Sequence, residues 1–182
     1  KLEASLLTLE HYVPHSISRD NAIARARMGI DRLTSEKHAD AAAIYAIEGD
    51  CAAAYFRAWK EIKMNWKGLN RHPIPQEWLT FWSRSSRLSG KVPKNRLASH
   101  PLNAMLNYAY TVRQTQLQID AISQGYDPMM GIMHNRHQGS NAYILDLIEP
   151  ERPRVDAAIL NLVNSTTFAP ADFVITSAGV CR

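Results

Sequence analysis

Four side chains of the sequence have types and spacings suited to divalent-metal chemistry: Glu48, His134, Asp146 and Glu149. Asp146 and Glu149 are three residues apart, so in a helical turn they share a face. Two carboxylates held side by side repel each other, and a divalent cation offsets that repulsion. His134 lies in a segment with Gly131 that reads as irregular, where an imidazole can be aimed at the same point. Glutamate, histidine and an acid pair suit Mg²⁺ or Mn²⁺, because hard oxygens dominate and one imidazole moves the preference toward Mn²⁺. His134 and His137 together are a zinc-like pair, but no further Cys or His stands at ligand spacing, and His137 reads as a solvated loop histidine. Pro150 follows Glu149 directly and biases it away from helical geometry.

Glu48 attracts notice by its place in a pattern. At helical spacing Ile44, Ile47, Cys51, Tyr55, Ala58 and Ile62 form one apolar stripe, and Glu48 falls inside it. A carboxylate taken from water is costly unless it is paired or binds metal. The alternatives are a glutamate at the stripe's edge reaching solvent, or one paired with an arginine from another helix. Cys51, on the same stripe, reads as packing rather than as a nucleophile.

Charge is distributed unevenly. Residues 57–96 hold ten Lys/Arg and two acids, a local charge of +8, whereas the remaining 142 residues sum to −4. A basic concentration on a mildly acidic body is an electrostatic footprint for phosphate, or else a solvated face. Arg57, Arg84, Arg87, Lys91, Lys94 and Arg96 are the candidate contacts. Trp59, Trp66, Trp78 and Trp82 flank this segment, able to stack on bases or, by the favoured reading, to pack beneath a long loop. The sequence contains no GxxxxGK[ST], GxGxxG or GxSxG motif, which excludes the common phosphate-loop, dinucleotide and serine-hydrolase signatures.

The elements that must position these groups read as helices. The 182 residues include 23 Ala against 8 Gly, with 46% hydrophobic and 21% charged residues, so a packed, mainly helical domain is predicted. Residues 1–33 read as helix broken at Val13–Ser16, a lead-in or linker to a catalytic domain over 34–182. Thr34 or Ser35 is expected to cap a long helix from about Glu36 to Lys67. Residues 68–100 read as loop with one short helix near Trp78–Arg87. A second long helix starts at Ser99-His100-Pro101 and stops at Gly125. A third, from Asn141–Tyr143 to Asn164, is expected to be disturbed by Pro150 and Pro153. Only Phe173–Thr176 has strand character. Two cysteines without a CxxC partner suggest a reducing compartment, and with no membrane-length apolar run and no secretory signal the expected location is the cytoplasm.

Read in order, four motifs resemble one family. They are Ile47-Glu48-Gly49 with Ala52-Ala53-Ala54-Tyr55-Phe56, Pro101-Leu102-Asn103-Ala104-Met105-Leu106-Asn107-Tyr108, Gly131-Ile132-Met133-His134, and Asp146-Leu147-Ile148-Glu149-Pro150-Glu151-Arg152-Pro153. Over roughly residues 30–182 they are similar to the all-α, multi-helix catalytic domain of the CRISPR-associated spacer integrase, the metal-dependent nuclease of the adaptation complex. The resemblance implies Glu48, His134, Asp146 and Glu149 as catalytic and metal-binding residues, with Mg²⁺ or Mn²⁺ as cofactor. It implies double-stranded DNA (prespacer and CRISPR repeat) as substrate, and strand cleavage and joining that insert spacer DNA into an array for antiviral defence. It also implies a homodimer and a second, smaller adaptation protein as partners. The family's amino-terminal β-domain is not in this sequence, and the chain reads as truncated at both ends. Two rivals are a non-catalytic DNA-binding scaffold and the same fold in a transposon-type integrase or reverse-transcriptase fusion.

Overall fold

The structure is a computed structural model that describes residues 1–35, 41–84, 97–134 and 141–182. Helix α1 (Leu2–Tyr12) and helix α2 (Ile17–Ser35) are separated by Val13–Ser16. Pro14 has no amide to continue the first helix, and the Ser16 hydroxyl accepts from the Arg19 amide at 3.1 Å to start the second. Arg19 then reaches back, donating from Nε to the Leu9 carbonyl at 2.9 Å and from Nη2 to that of Glu10 at 3.0 Å. The end of α1 is thereby capped by a buried guanidinium.

Helix α3 spans Ala41–Ala58. Thr34 and Ser35, the expected cap residues, lie in the last turn of α2, where their hydroxyls donate to the carbonyls of Ile30 and Asp31, and the expected start at Glu36 lies outside the described residues. The helix ends earlier than expected. After Ala58 the chain tightens into a 3-10 turn at Trp59–Glu61 and then extends. Strand β1 (Asn65–Trp66) pairs in parallel with β2 (Thr167–Phe168), so strand structure falls before Phe173–Thr176, where Ile175 makes an isolated bridge to Cys181. In the basic segment the described helical turn is the 3-10 turn Gln76–Trp78; the expected helix toward Arg87 runs outside the described residues.

Helix α4 (Pro101–Ser123) starts as the sequence indicates. His100 caps it, with Nδ1 accepting from the Leu102 amide at 3.1 Å, and Gly125 stops it at φ +83°. Burial holds the His100 imidazolium back, lowering its pKa to about 4. Helix α5 (Ala142–Ser165) runs unbroken through Pro150 and Pro153, contrary to expectation. The two missing amides leave the carbonyls of Asp146 and Glu149 without their usual i+4 donors, a local loss that the packing of the helix outweighs.

The core lies where all five described helices meet. Leu9, Trp59, Phe81, Leu102, Leu106, Leu160 and Val163 are its most buried members. The first two helices belong to this core: α1 packs on α5 and α2 on α3. Trp59 and Trp78 are buried and Trp66 stacks on Trp78 at 5.6 Å, so three tryptophans pack as favoured. Trp82 is half exposed, with the Lys60 ammonium 5.0 Å from its ring. No described helix is long and apolar enough to cross a membrane.

Candidate metal centre

A cleft of about 320 Å³ opens between α3, α5 and the segment before α5, and Glu48, His134, Asp146 and Glu149 all line it. Its construction begins with Gly131. A Cβ there would stand 2.6 Å from the backbone carbon of Ala142, so only glycine lets this segment lie against the first turn of α5. The Asp146 carboxylate then clamps the segment from below. Its Oδ2 accepts from the amides of Ile132 and Met133 at 2.6 and 2.9 Å, and its Oδ1 faces His134 Nδ1 at 2.6 Å. Tyr45 of α3 closes the other side by donating to the Met133 carbonyl at 3.2 Å.

Asp146 is thus committed at both oxygens. Burial pushes its carboxyl pKa up, but the two amides and the imidazole outweigh this and hold it below the usual carboxylate range. Its partner His134 has Nδ1 fixed, which directs Nε2 as the ring nitrogen free to bind a metal.

The two glutamates meet on a cation. The Lys1 ammonium pairs with Glu48 Oε1 and stands 2.5 Å from Glu149 Oε2, while Glu149 Oε1 faces Arg152 Nε at 3.0 Å. Glu48 is therefore half-buried and paired, with a lysine in place of the arginine allowed for from sequence, rather than sunk in the apolar stripe. Ile47, Cys51, Tyr55, Ala58 and Ile62 of that stripe are buried as expected, and burial raises the Cys51 thiol pKa.

Among the described residues, no three His, Cys, Asp or Glu stand as a ready-made metal cluster. Lys1 holds one pair of ligand candidates, and the other pair, His134 and Asp146, hold each other. The donor chemistry nonetheless fits a hard divalent ion: two carboxylates already converge on one positive charge, and an imidazole lines the same cleft.

The basic candidates separate. Arg57 is exposed. Arg84 is half-buried, donating to Asn107 Oδ1 at 2.7 Å and Asn103 Oδ1 at 3.3 Å, with its guanidinium 5.3 Å from the Tyr110 ring. Arg87, Lys91, Lys94 and Arg96, like His137, lie outside the described residues.

Sequence reading missed Asp156. It is 3% exposed and accepts from Tyr55 at 3.0 Å and from Tyr110. Burial pushes its pKa up to about 6, against the pull of both hydroxyls and of Arg84 and Arg152. A signal was present: Ile148, Asp156, Leu160 and Val163 fall on one stripe of α5, the same anomaly that singled out Glu48.

Comparison with known proteins now decides the family. The family model described as CRISPR associated protein Cas1 matches residues 1–181. The chain belongs to the Cas1 family. Three similar relatives are each named a CRISPR-associated endonuclease Cas1. One from Pyrobaculum aerophilum is 35% identical over 49% of this chain and 30% of its own length. One from Thermus thermophilus is 28% identical over 86% and 41%, and one from Methanospirillum hungatei is 32% identical over 70% and 31%. The chain therefore spans under half the length of these Cas1 relatives. A solved structure described as a casposase bound to integration product overlays all of this chain and 48% of that one, with a TM-score of 0.67 and 20% identity. The Cas1 domain shares that fold.

Proposed function

We propose that this chain is the catalytic domain of a metal-dependent DNA endonuclease and integrase, which cleaves and joins phosphodiester bonds to insert spacer DNA into a CRISPR array. The observation that carries the reading is the convergence of Glu48 and Glu149 on one cation, in a cleft that His134 also lines. Glu48, Glu149 and His134 are the ligand set for Mg²⁺ or Mn²⁺, with Asp146 orienting His134 and tying down its segment. A divalent ion so held supplies Lewis-acid stabilisation of the charge that develops on phosphoryl oxygens. The protein's own contribution is positional: α3 and α5 present the carboxylates, and the Gly131 contact sets the imidazole beside them. Arg57 and the bases of residues 87–96 supply phosphate contacts to double-stranded DNA, prespacer and repeat alike. In the whole protein, a homodimer and the smaller adaptation protein complete the assembly.

A DNA-binding scaffold is the second reading, and it has one observation in its favour: the Lys1 ammonium already neutralises Glu48 and Glu149. An integration assay on duplex DNA, with Mn²⁺, with Mg²⁺ and with chelator, separates the two. The enzyme reading expects metal-dependent strand transfer that Glu48→Gln abolishes. DNA binding with no metal-dependent product supports the scaffold.

A further inference from the structure

We infer that the hydrogen bond between Tyr55 and Asp156 sets the spacing across the metal centre, making both positioning residues for Glu48 and Glu149. The inference rests on the metal reading proposed above. Tyr55 follows Glu48 by seven residues on α3, and Asp156 follows Glu149 by seven on α5. Seven residues are nearly two helical turns, about 10.5 Å of rise, and return a side chain to nearly the same face. The helices that carry the two glutamates are thus joined at matching depth, each at the residue two turns below its ligand.

The join is a polar contact between buried side chains. The Tyr55 hydroxyl donates to Asp156 Oδ2 at 3.0 Å, and Asp156 Oδ1 accepts from Tyr110 of α4. Asp156, Tyr55 and Tyr110 are 3%, 6% and 7% exposed. Apolar packing does not fill all the space around them. A cavity beside them, of about 100 Å³, is lined by Glu48, Ala52 and Tyr55 of α3, by Arg152 and Asp156 of α5, and by Leu2, Ser5 and Leu9 of α1. Helix α1 packs on both helices at this cavity, and the Tyr55–Asp156 hydrogen bond adds a direct, directional tie between them that packing beside a void does not supply. Any slide or rotation of α3 against α5 strips a carboxylate oxygen of a side chain only 3% exposed of its donor.

Tyr110 supplies the control. Tyr110→Phe removes a hydrogen bond to the same carboxylate but leaves the α3–α5 tie, and Tyr55→Phe does the reverse. The experiment is Mn²⁺ titration of the chain by electron paramagnetic resonance, for wild type, Tyr55→Phe, Tyr110→Phe and Asp156→Asn, with metal-free melting curves alongside. Tyr55→Phe is expected to raise the Mn²⁺ dissociation constant about tenfold, the low end of the effect of losing a group that orients ligands. Asp156→Asn is expected to act in the same direction, and Tyr110→Phe to bind Mn²⁺ like wild type although it melts as early as Tyr55→Phe. Wild-type affinity in Tyr55→Phe, or equal weakening in both tyrosine variants, overturns the inference alone. A wild type that binds no Mn²⁺ overturns the metal reading, and this inference with it.

Discussion

His134 Nδ1 stands 2.6 Å from Asp146 Oδ1, and this contact gives the two acids of α5 different tasks. Asp146 faces the polypeptide, holding the imidazole and the amides of Ile132 and Met133. Glu149, one turn on, faces the cation.

That division predicts different consequences of losing each acid. Asp146→Asn should weaken Mn²⁺ binding about 10- to 100-fold by loosening His134. It should also speed amide exchange at Ile132 and Met133. Glu149→Gln should abolish metal-dependent cleavage and leave those amides protected. Hydrogen-exchange mass spectrometry of the two variants checks this, and equal exchange in both would contradict it.

Lys1 occupies the position that the metal reading assigns to the ion. Its ammonium should compete, so Lys1→Ala should tighten Mn²⁺ binding. Exposed or half-exposed ion pairs are worth up to about 1 kcal/mol, which caps the gain at about fivefold. Calorimetric titration of the variant measures it. Weaker binding would mean that Lys1 supports the site rather than blocks it.

Much of the helical framework was legible in the sequence. The helical period placed Cys51, Tyr55 and Ala58 in the core, and Pro101 and Gly125 marked both ends of α4 because their backbone constraints act locally. The prolines of α5 misled for the complementary reason. A lost amide is a local cost, and a helix buried along Ile144, Ile148, Leu160 and Val163 overrides it. Glu48 was singled out by a sound rule, yet the residue that meets the rule fully is Asp156, whose partners Tyr55 and Tyr110 come from distant helices. Pairing across 101 and 46 residues of chain has no local signature.

Asp156 should also give the fold a distinctive pH response. Its folded pKa of about 6 lies above the ordinary value of 3.8, so between those values the native state holds a proton that the unfolded state has released. Its contribution to stability is complete below about pH 4 and is lost as pH rises through 6, by about 3 kcal/mol. His100 acts oppositely: its lowered pKa makes stability rise from about pH 4 to 6.5. Because His100 is common to both proteins, subtracting a variant that lacks the Asp156 carboxyl isolates the contribution of Asp156. The stability of wild type minus that of Asp156→Asn, from urea melts at pH 4 and pH 7, should fall by roughly that 3 kcal/mol. A constant difference would show that Asp156 is ionised throughout.

DNA affinity should depend steeply on salt through the basic segment. Replacing Arg87, Lys91 and Lys94 together with Gln should flatten the log–log salt slope by about 3, near 0.9 for each phosphate no longer neutralised. Arg84 is left in place because it holds Asn103, Asn107 and the Tyr110 ring. Fluorescence anisotropy on duplex DNA reads the slope, and an unchanged value would make the segment a solvated loop.

The most direct measurement is a crystal of the chain soaked in Mn²⁺, with the ion located by anomalous scattering. The metal reading predicts one strong peak bound by Glu48, Glu149 and His134 Nε2, with the Lys1 ammonium displaced and Asp146 still on His134 Nδ1. A cleft without a peak at saturating Mn²⁺, with Lys1 still seated between the two glutamates, would contradict it.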